Sequence, residues 1–254
     1  MASTSETGHG KNVSNFAQLY SICRQMGSVF NPMNQQITIG ALSTKLVDSQ
    51  NALSDTITQS NALIRAIKAR RDEVEVLENL APRLVAMLES SNSSDDIIMK
   101  VKALKNKLLG RSKSSKPTQT PVPSTSLDGH LGQIPSESSI STIQASFDKK
   151  LEHFEKIIQL LATEPSYNPS EQEFSLVGLH ALLTSLHQKN TNLDQVHTTY
   201  KNVLRQRNQI LYSLDGGLVD LAGKTKAYVK SLFGRTSPVY KHINSVKFQK
   251  SVYL

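Results

Sequence analysis

Apolar residues recur at helical spacing along two long stretches of the chain. Between Ala41 and Asn79, and again between Leu176 and Leu214, they are mostly three, four or seven residues apart. The positions between them carry Gln, Asn, Ser, Thr and paired charges, which is the pattern of a helix with one buried stripe. Each stretch predicts a long α-helix. The predicted fold class is therefore all-α, an elongated helical bundle with coiled-coil-like packing.

The same helical unit is predicted twice. Phe30-Asn31-Pro32 corresponds to Tyr167-Asn168-Pro169, and each tripeptide precedes one of the long helices. Residues 100–111 correspond to 224–235, and both segments end in Gly-Arg after several lysines. The alignment of the long helices requires a slip of three residues, which pairs Arg65 with Arg205.

Because the landmarks follow the same order in both halves, we expect an internal repeat of two helical-hairpin units. Together they give four long helices plus short helices, packed about a pseudo-two-fold axis. Two alternatives stay open at this point. The hairpins could form separate domains joined by a linker, or a homodimer could exchange its units.

The predicted organisation has five segments. A polar N-terminal tail covers 1–12, and the two repeats cover 13–112 and 141–238. Between the repeats, residues 113–140 are rich in Ser, Thr and Pro, which is typical of a flexible linker. A basic arm covers 239–254, and its alternation at Val246 and Phe248 indicates a strand or extended segment. Pro82 is expected in the first turn of a new helix.

Charge is unevenly placed along a chain whose net charge is +8. Residues 100–116 and 221–254 hold seven Lys or Arg each and no acid. Such segments can bind a polyanion or an anionic surface. They also suit ordinary helix C-termini, and we expect the interleaved aromatic residues to pack inward. The candidate polyanion-binding residues are Lys100, Lys102, Lys105, Lys107, Arg111, Lys224, Lys226, Lys230, Arg235 and Lys241.

The remaining chemistry gives no active site. Cys23 is the single cysteine and lies in an apolar pattern, which favours a buried thiol. His180 and His187 are seven residues apart, whereas zinc-binding helices place ligands at i and i+4. Acidic residues between 72 and 78 follow Arg70 and Arg71 on a polar helix face. We therefore expect no catalytic residues, no cofactor and no metal, and a protein that is not an enzyme.

The chain resembles a family of uncharacterised bacterial all-helical proteins. The resemblance rests on an N-terminal Gly8-His9-Gly10-Lys11-Asn12 motif, the Phe30-Asn31-Pro32 turn and a C-terminal block. That block contains Tyr228-Val229-Lys230-Ser231-Leu232-Phe233-Gly234 and then Ser237-Pro238 and Tyr240-Lys241. Two departures are the second glycine at Gly216 and the histidine at His242. The resemblance implies the helical fold and leaves the function open.

These features favour a non-enzymatic structural or protein-interaction role. A protein partner or self-association is expected, and nucleic-acid or anionic-surface binding by the basic helix ends is the alternative. A secreted helical effector or toxin component is a further alternative. No stretch of about 20 apolar residues predicts a transmembrane segment. The polar N-terminus has no signal-like apolar run, so the predicted location is cytoplasmic, with signal-less export left open.

Overall fold

The computed structural model describes residues 4–110 and 137–249, and most of them are helical. The α-helices are α1 Thr4–Gln25, α2 Ile39–Glu89, α3 Asp95–Leu108, α4 Glu137–Ala162, α5 Leu176–Tyr212, α6 Leu218–Phe233 and α7 Pro238–Ser245. Two short 3₁₀ turns, Gly27–Val29 and Gln35–Ile37, lie between α1 and α2. The predicted all-α class is confirmed. Most of the predicted linker lies outside the described residues, and its last four residues begin α4.

Helix α2 continues through Pro82, where the sequence predicts a new helix to begin. It runs for 51 residues with this proline inside it. A proline removes one backbone hydrogen bond and normally kinks a helix. Here Pro82 itself faces solvent, while Leu80, Ala81 and Leu84 next to it are buried. Burial on both sides of the proline holds the helix together and offsets the missing bond.

The chain divides into two compact units that do not follow the predicted repeats. Unit A comprises residues 1–61 and 198–254, and unit B comprises residues 62–197. Unit A therefore contains α1, α6 and α7, and unit B contains α3 and α4. Helices α2 and α5 each contribute one part to each unit. Each unit thus combines helices from both predicted repeats.

Each unit has its own hydrophobic core. In unit A, α6 packs against α1 and α7, and Phe16 and Leu19 of α1 are fully buried. In unit B, α3 packs along α4, and Leu108 and Phe154 are fully buried there. The core of unit A is built from residues between 13 and 53 and between 211 and 248. The core of unit B is built from residues between 74 and 109 and between 147 and 186.

Burial along the two long helices recurs at every seventh residue. In α2 one line of buried residues at this spacing contains Leu42, Ser49, Thr56, Leu63, Arg70, Leu77 and Leu84. In α5 the corresponding line contains Leu179, Leu186, Leu193, the half-buried Tyr200 and Arg207. Arg70 and Arg207 are 137 residues apart, as are Asn31 and Asn168. The buried positions of α2 up to Arg70 therefore correspond to those of α5 up to Arg207 at one constant offset of 137 residues. This alignment does not need the predicted slip of three residues.

The N-terminal motif of the chain binds its C-terminal segment. Helix α1 begins at Thr4, within the stretch predicted as a polar tail, and the fully buried Asn12 lies in it. Its amide donates to the Gln249 carbonyl and its oxygen accepts from the Gln249 N–H, both at 2.8 Å. Nδ1 of His9 lies 2.6 Å from the Tyr212 hydroxyl. The predicted arm is helical in α7, and residues 246–249 follow it without a helix or strand, with Gln249 held by Asn12.

Replacement of Asn12 is expected to destabilise unit A. Asn12→Ala removes two hydrogen bonds between the fully buried Asn12 side chain and the Gln249 backbone. At about 0.5–1.5 kcal/mol for each bond, the loss is about 1–3 kcal/mol. Thermal unfolding of the variant measures this loss. Asn15→Ala is the matched control, because Asn15 makes one exposed bond to the Lys247 carbonyl. Equal stability losses in the two variants would contradict a special role for Asn12.

Candidate functional site

The candidate cations of α3 are partly neutralised by acids of the same unit. Lys100 pairs with Asp96, and Lys102 pairs with Glu89, both at 2.5 Å. Lys105 and Lys107 lie in the last turn of the helix, and Arg111 lies outside the described residues. Lysines near a helix C-terminus stabilise the helix dipole. The ion pairs at Lys100 and Lys102 leave this helix little excess charge for a partner.

On α6, Lys224 has a structural role. It lies 2.9 Å from both Asp215 and Asp220 and donates to the Gln36 side chain. These hydrogen bonds raise the pKa of Lys224, and they lower the pKa of Asp215. The lysine thereby joins the turn between α5 and α6 to the 3₁₀ turn before α2. Its charge is balanced within unit A.

Lys226 is also used inside the fold. Its ammonium donates to the Val246 carbonyl and lies 5.1 Å from the centre of the Phe248 ring. Partial burial, and then the nearby Lys247, lower its pKa. Because the contact fixes the segment after α7, Lys226 is poorly placed to meet an external anion.

Three of the candidate cations of unit A are exposed. They are Lys230 in the last turn of α6, Arg235 after Gly234, and Lys241 in α7. Within residues 4–110 and 137–249, none of the three makes an ion pair. Gly234 has a φ of 78°, so the chain turns sharply between Lys230 and Arg235. We call these three residues the exposed cation set.

The net charge of the protein belongs to unit A. By sequence, this unit has 13 Lys and Arg against 5 Asp and Glu, a net charge of +8. Unit B has 16 Lys and Arg against 16 Asp and Glu, a net charge of zero. The two basic segments that the sequence aligns, in α3 and in α6, therefore lie in units of different net charge. One basic helix lies in a neutral unit and the other in a strongly basic unit.

An apolar groove of about 470 Å³ lies in unit A, and its lining includes close sequence neighbours of the exposed cation set. Ile22, Met26 and Val29 from the end of α1 and the following 3₁₀ turn form one wall. The other wall is formed by Phe233, Pro238 and Val239. Gln25 and His242 add polar groups to the lining. Sequence reasoning missed this groove because its walls come from segments about 200 residues apart, and no periodic pattern connects them.

Four aromatic residues of the basic C-terminal block are partly buried against the core. Tyr228, Phe233, Tyr240 and Phe248 all pack against the buried cluster of unit A. Tyr228 also meets Phe30 edge-on, with ring centres 5.3 Å apart, and accepts a hydrogen bond from the Asn31 N–H. Single-stranded nucleic acids bind to exposed aromatic faces. These four rings are instead used to hold unit A together.

The thiol of the single cysteine lies in the core of unit A. Cys23 is fully buried, and burial raises the pKa of its thiol to about 12. The thiol is therefore neutral at physiological pH and poorly nucleophilic. No group of three or more His, Cys, Asp or Glu residues that could hold a metal ion occurs among the described residues.

Across the described parts of the chain, no helix has both the length and the apolar character needed to cross a membrane. Comparison with protein-family models, with curated proteins and with solved structures found no match for the chain.

Proposed function

We propose that the protein is a non-enzymatic protein-interaction protein and that unit A binds an acidic partner protein. The observation that carries this proposal is the charge division, with +8 on unit A and zero on unit B. A protein with such a division attracts an anionic partner to one of its units. The exposed cation set supplies charges that are not already neutralised by the acids of the fold.

The use of buried polar groups supports a binding role over catalysis. Ser49 and Thr56 donate to carbonyls one turn earlier in α2. Asn12 holds the C-terminal segment, and Arg70 donates to Asn190 while lying over the Phe147 ring. Each of these groups has a structural partner. Catalytic groups, in contrast, converge on a shared reacting position.

A protein partner fits the surface better than a nucleic acid does. The described aromatic rings of the basic block pack against the core, and the groove is lined by close sequence neighbours of the cations. Phosphate binding needs cations alone, whereas protein interfaces combine an apolar centre with a charged rim. The groove and the exposed cation set together offer that combination.

The proposal is tested with a fluorescent polyglutamate peptide as the acidic probe. We expect the native protein to bind it at low salt and to lose affinity between about 0.05 and 0.5 M salt, as screening increases. Replacing Lys230, Arg235 and Lys241 by Gln should weaken binding about tenfold. The matched control replaces the exposed Arg71, Lys107 and Lys149 of unit B by Gln and keeps the native affinity.

The control variant has the same net charge as the test variant, so it separates a local site from a general charge effect. Equal losses in the two variants would contradict a site in unit A. A DNA duplex of matched charge serves as the competing probe. Tight duplex binding that polyglutamate cannot displace would overturn the proposal in favour of a nucleic-acid partner.

A further inference from the structure

We infer that the groove of unit A binds an amphipathic helix of the acidic partner. Apolar side chains of that helix would enter the groove, and its carboxylates would pair with the exposed cation set. This inference rests on the proposed function, and it adds the site and the kind of partner segment. It draws on the concave form of the groove, the exposure of Val29 in its wall and the absence of acids from its lining.

The groove leaves apolar surface in water. Val29 on its wall is 55% exposed, and it lines the groove together with apolar residues of α1, α6 and α7. Covering such surface is favourable in proportion to the apolar area that is removed from water. Contiguous exposed apolar patches of this kind commonly mark interaction sites. The occupant must therefore present apolar side chains.

The form of the groove favours a helix over a small molecule or a membrane. Small-molecule sites enclose most of the ligand, whereas the wall at Val29 stays open to solvent. A membrane surface is contacted by apolar side chains that project from a protein, and here the apolar side chains line a concavity. A helix that presents residues i, i+3 or i+4, and i+7 places a ridge of side chains into such a groove.

The charge around the groove selects an acidic helix. Lys230 lies three residues before Phe233, on the same face of α6, and Lys241 and Arg235 flank α7 residues that line the wall. None of the eight residues that line the groove is an Asp or a Glu. Carboxylates on the partner helix would pair with cations that the fold does not already neutralise, and a basic helix would be repelled.

The test uses three synthetic peptides of about five helical turns. The first is an amphipathic helix with Leu on one face and Glu elsewhere. The second has the same composition in a scrambled order, and the third has Lys in place of every Glu. We expect the native protein to bind the first peptide about tenfold more tightly than the second and to bind the third least, because burial of the Leu face adds to the charge attraction.

A pair of protein variants then locates the site. Val29→Glu places a charge on the exposed wall and is expected to weaken binding of the amphipathic peptide about tenfold. Val177→Glu is the matched control, because Val177 is 77% exposed in α5 of unit B. That variant should bind like the native protein. Circular dichroism of both variants verifies that their helical content is unchanged.

The outcomes separate this inference from the proposed function. One outcome is that the ordered and scrambled peptides bind equally while the variant with Lys230, Arg235 and Lys241 replaced by Gln still binds weakly. That outcome would overturn the inference that the groove binds a helix, and it would leave the proposed acidic partner standing. Failure of the native protein to bind any acidic peptide would overturn both. Vesicles of one part phosphatidylserine to three parts phosphatidylcholine test a lipid surface. If the vesicles bind, the ordered peptide does not, and Val29→Glu abolishes the vesicle binding, the inference is overturned in favour of a membrane.

Discussion

Fragments that correspond to the two halves of the sequence are expected to be unfolded alone and to fold when mixed. A fragment of residues 1–112 contains α1 but lacks α6, against which α1 packs. It also contains α3 but lacks α4. A fragment of residues 137–254 has the complementary helices. Both cores are therefore divided between the two fragments, and neither fragment can complete one.

The expected loss is large because the separated faces are fully buried. Phe16 and Leu19 in the first fragment and Phe154 and Ile157 in the second have exposures of 0–1%. Exposing each such side chain costs about 1.5–3 kcal/mol. The burial energies of only a few such side chains together equal the free energy of unfolding of a typical domain, about 5–15 kcal/mol. Thermal unfolding followed by circular dichroism should show no cooperative transition for either fragment alone.

Two further samples make the result specific. A fragment of residues 62–197 contains the whole core of unit B and should unfold cooperatively on its own. In the second sample, a protease site is inserted between residues 118 and 126, and the protein is cut there after it has folded. The cut protein should keep the cooperative unfolding transition of the intact protein. A cooperative transition in the fragment of residues 1–112 alone would contradict the exchange of helices between the halves, and would support two independent hairpins.

The helices could be predicted because periodicity records which face of a segment is buried. Periodicity alone does not give the exact register of the buried face. Ile57 belongs to the predicted apolar stripe of α2, yet it is 63% exposed, and the neighbouring Thr56 is buried. One line of buried residues recurs at every seventh position, and Ile57 lies one residue, about 100° of helix rotation, away from that line. Thr56 fits because its hydroxyl donates to the Ala52 carbonyl within the same helix.

The partners of each face could not be predicted. Periodicity shows that one face of α1 is buried, but it does not show that α6, from the other half of the sequence, covers it. The same limit applies to the site. The sequence displays Lys102 as a cation, while Glu89, which neutralises it, lies in another helix. The exposed cation set is thus defined by the spatial positions of acids, and a linear charge count cannot supply these positions.

A glycine in α5 is expected to be essential for the stability of unit B. Gly178 is the third residue of the helix, and a Cβ at this position would lie 2.0 Å from the Gln172 carbonyl oxygen. That oxygen is held in place, because it accepts hydrogen bonds from the hydroxyl and the backbone N–H of Ser175. The turn it belongs to also carries Phe174, which is buried in the core of unit B. The backbone must therefore move to admit a methyl group.

Gly178→Ala should lower the free energy of unfolding by about 2 kcal/mol or more, as overpacking does. For a chain of this size, the melting temperature should fall by about 4–8 °C. Gly223→Ala is the matched control, because Gly223 lies inside α6 with no atom within 4 Å of its Cβ position. There, alanine should stabilise the helix by about 0.5–1 kcal/mol. If Gly178→Ala and Gly223→Ala both become more stable, the short distance between a Cβ at residue 178 and the Gln172 carbonyl oxygen does not constrain the turn. Opposite signs would show that the turn before α5 fixes the start of that helix.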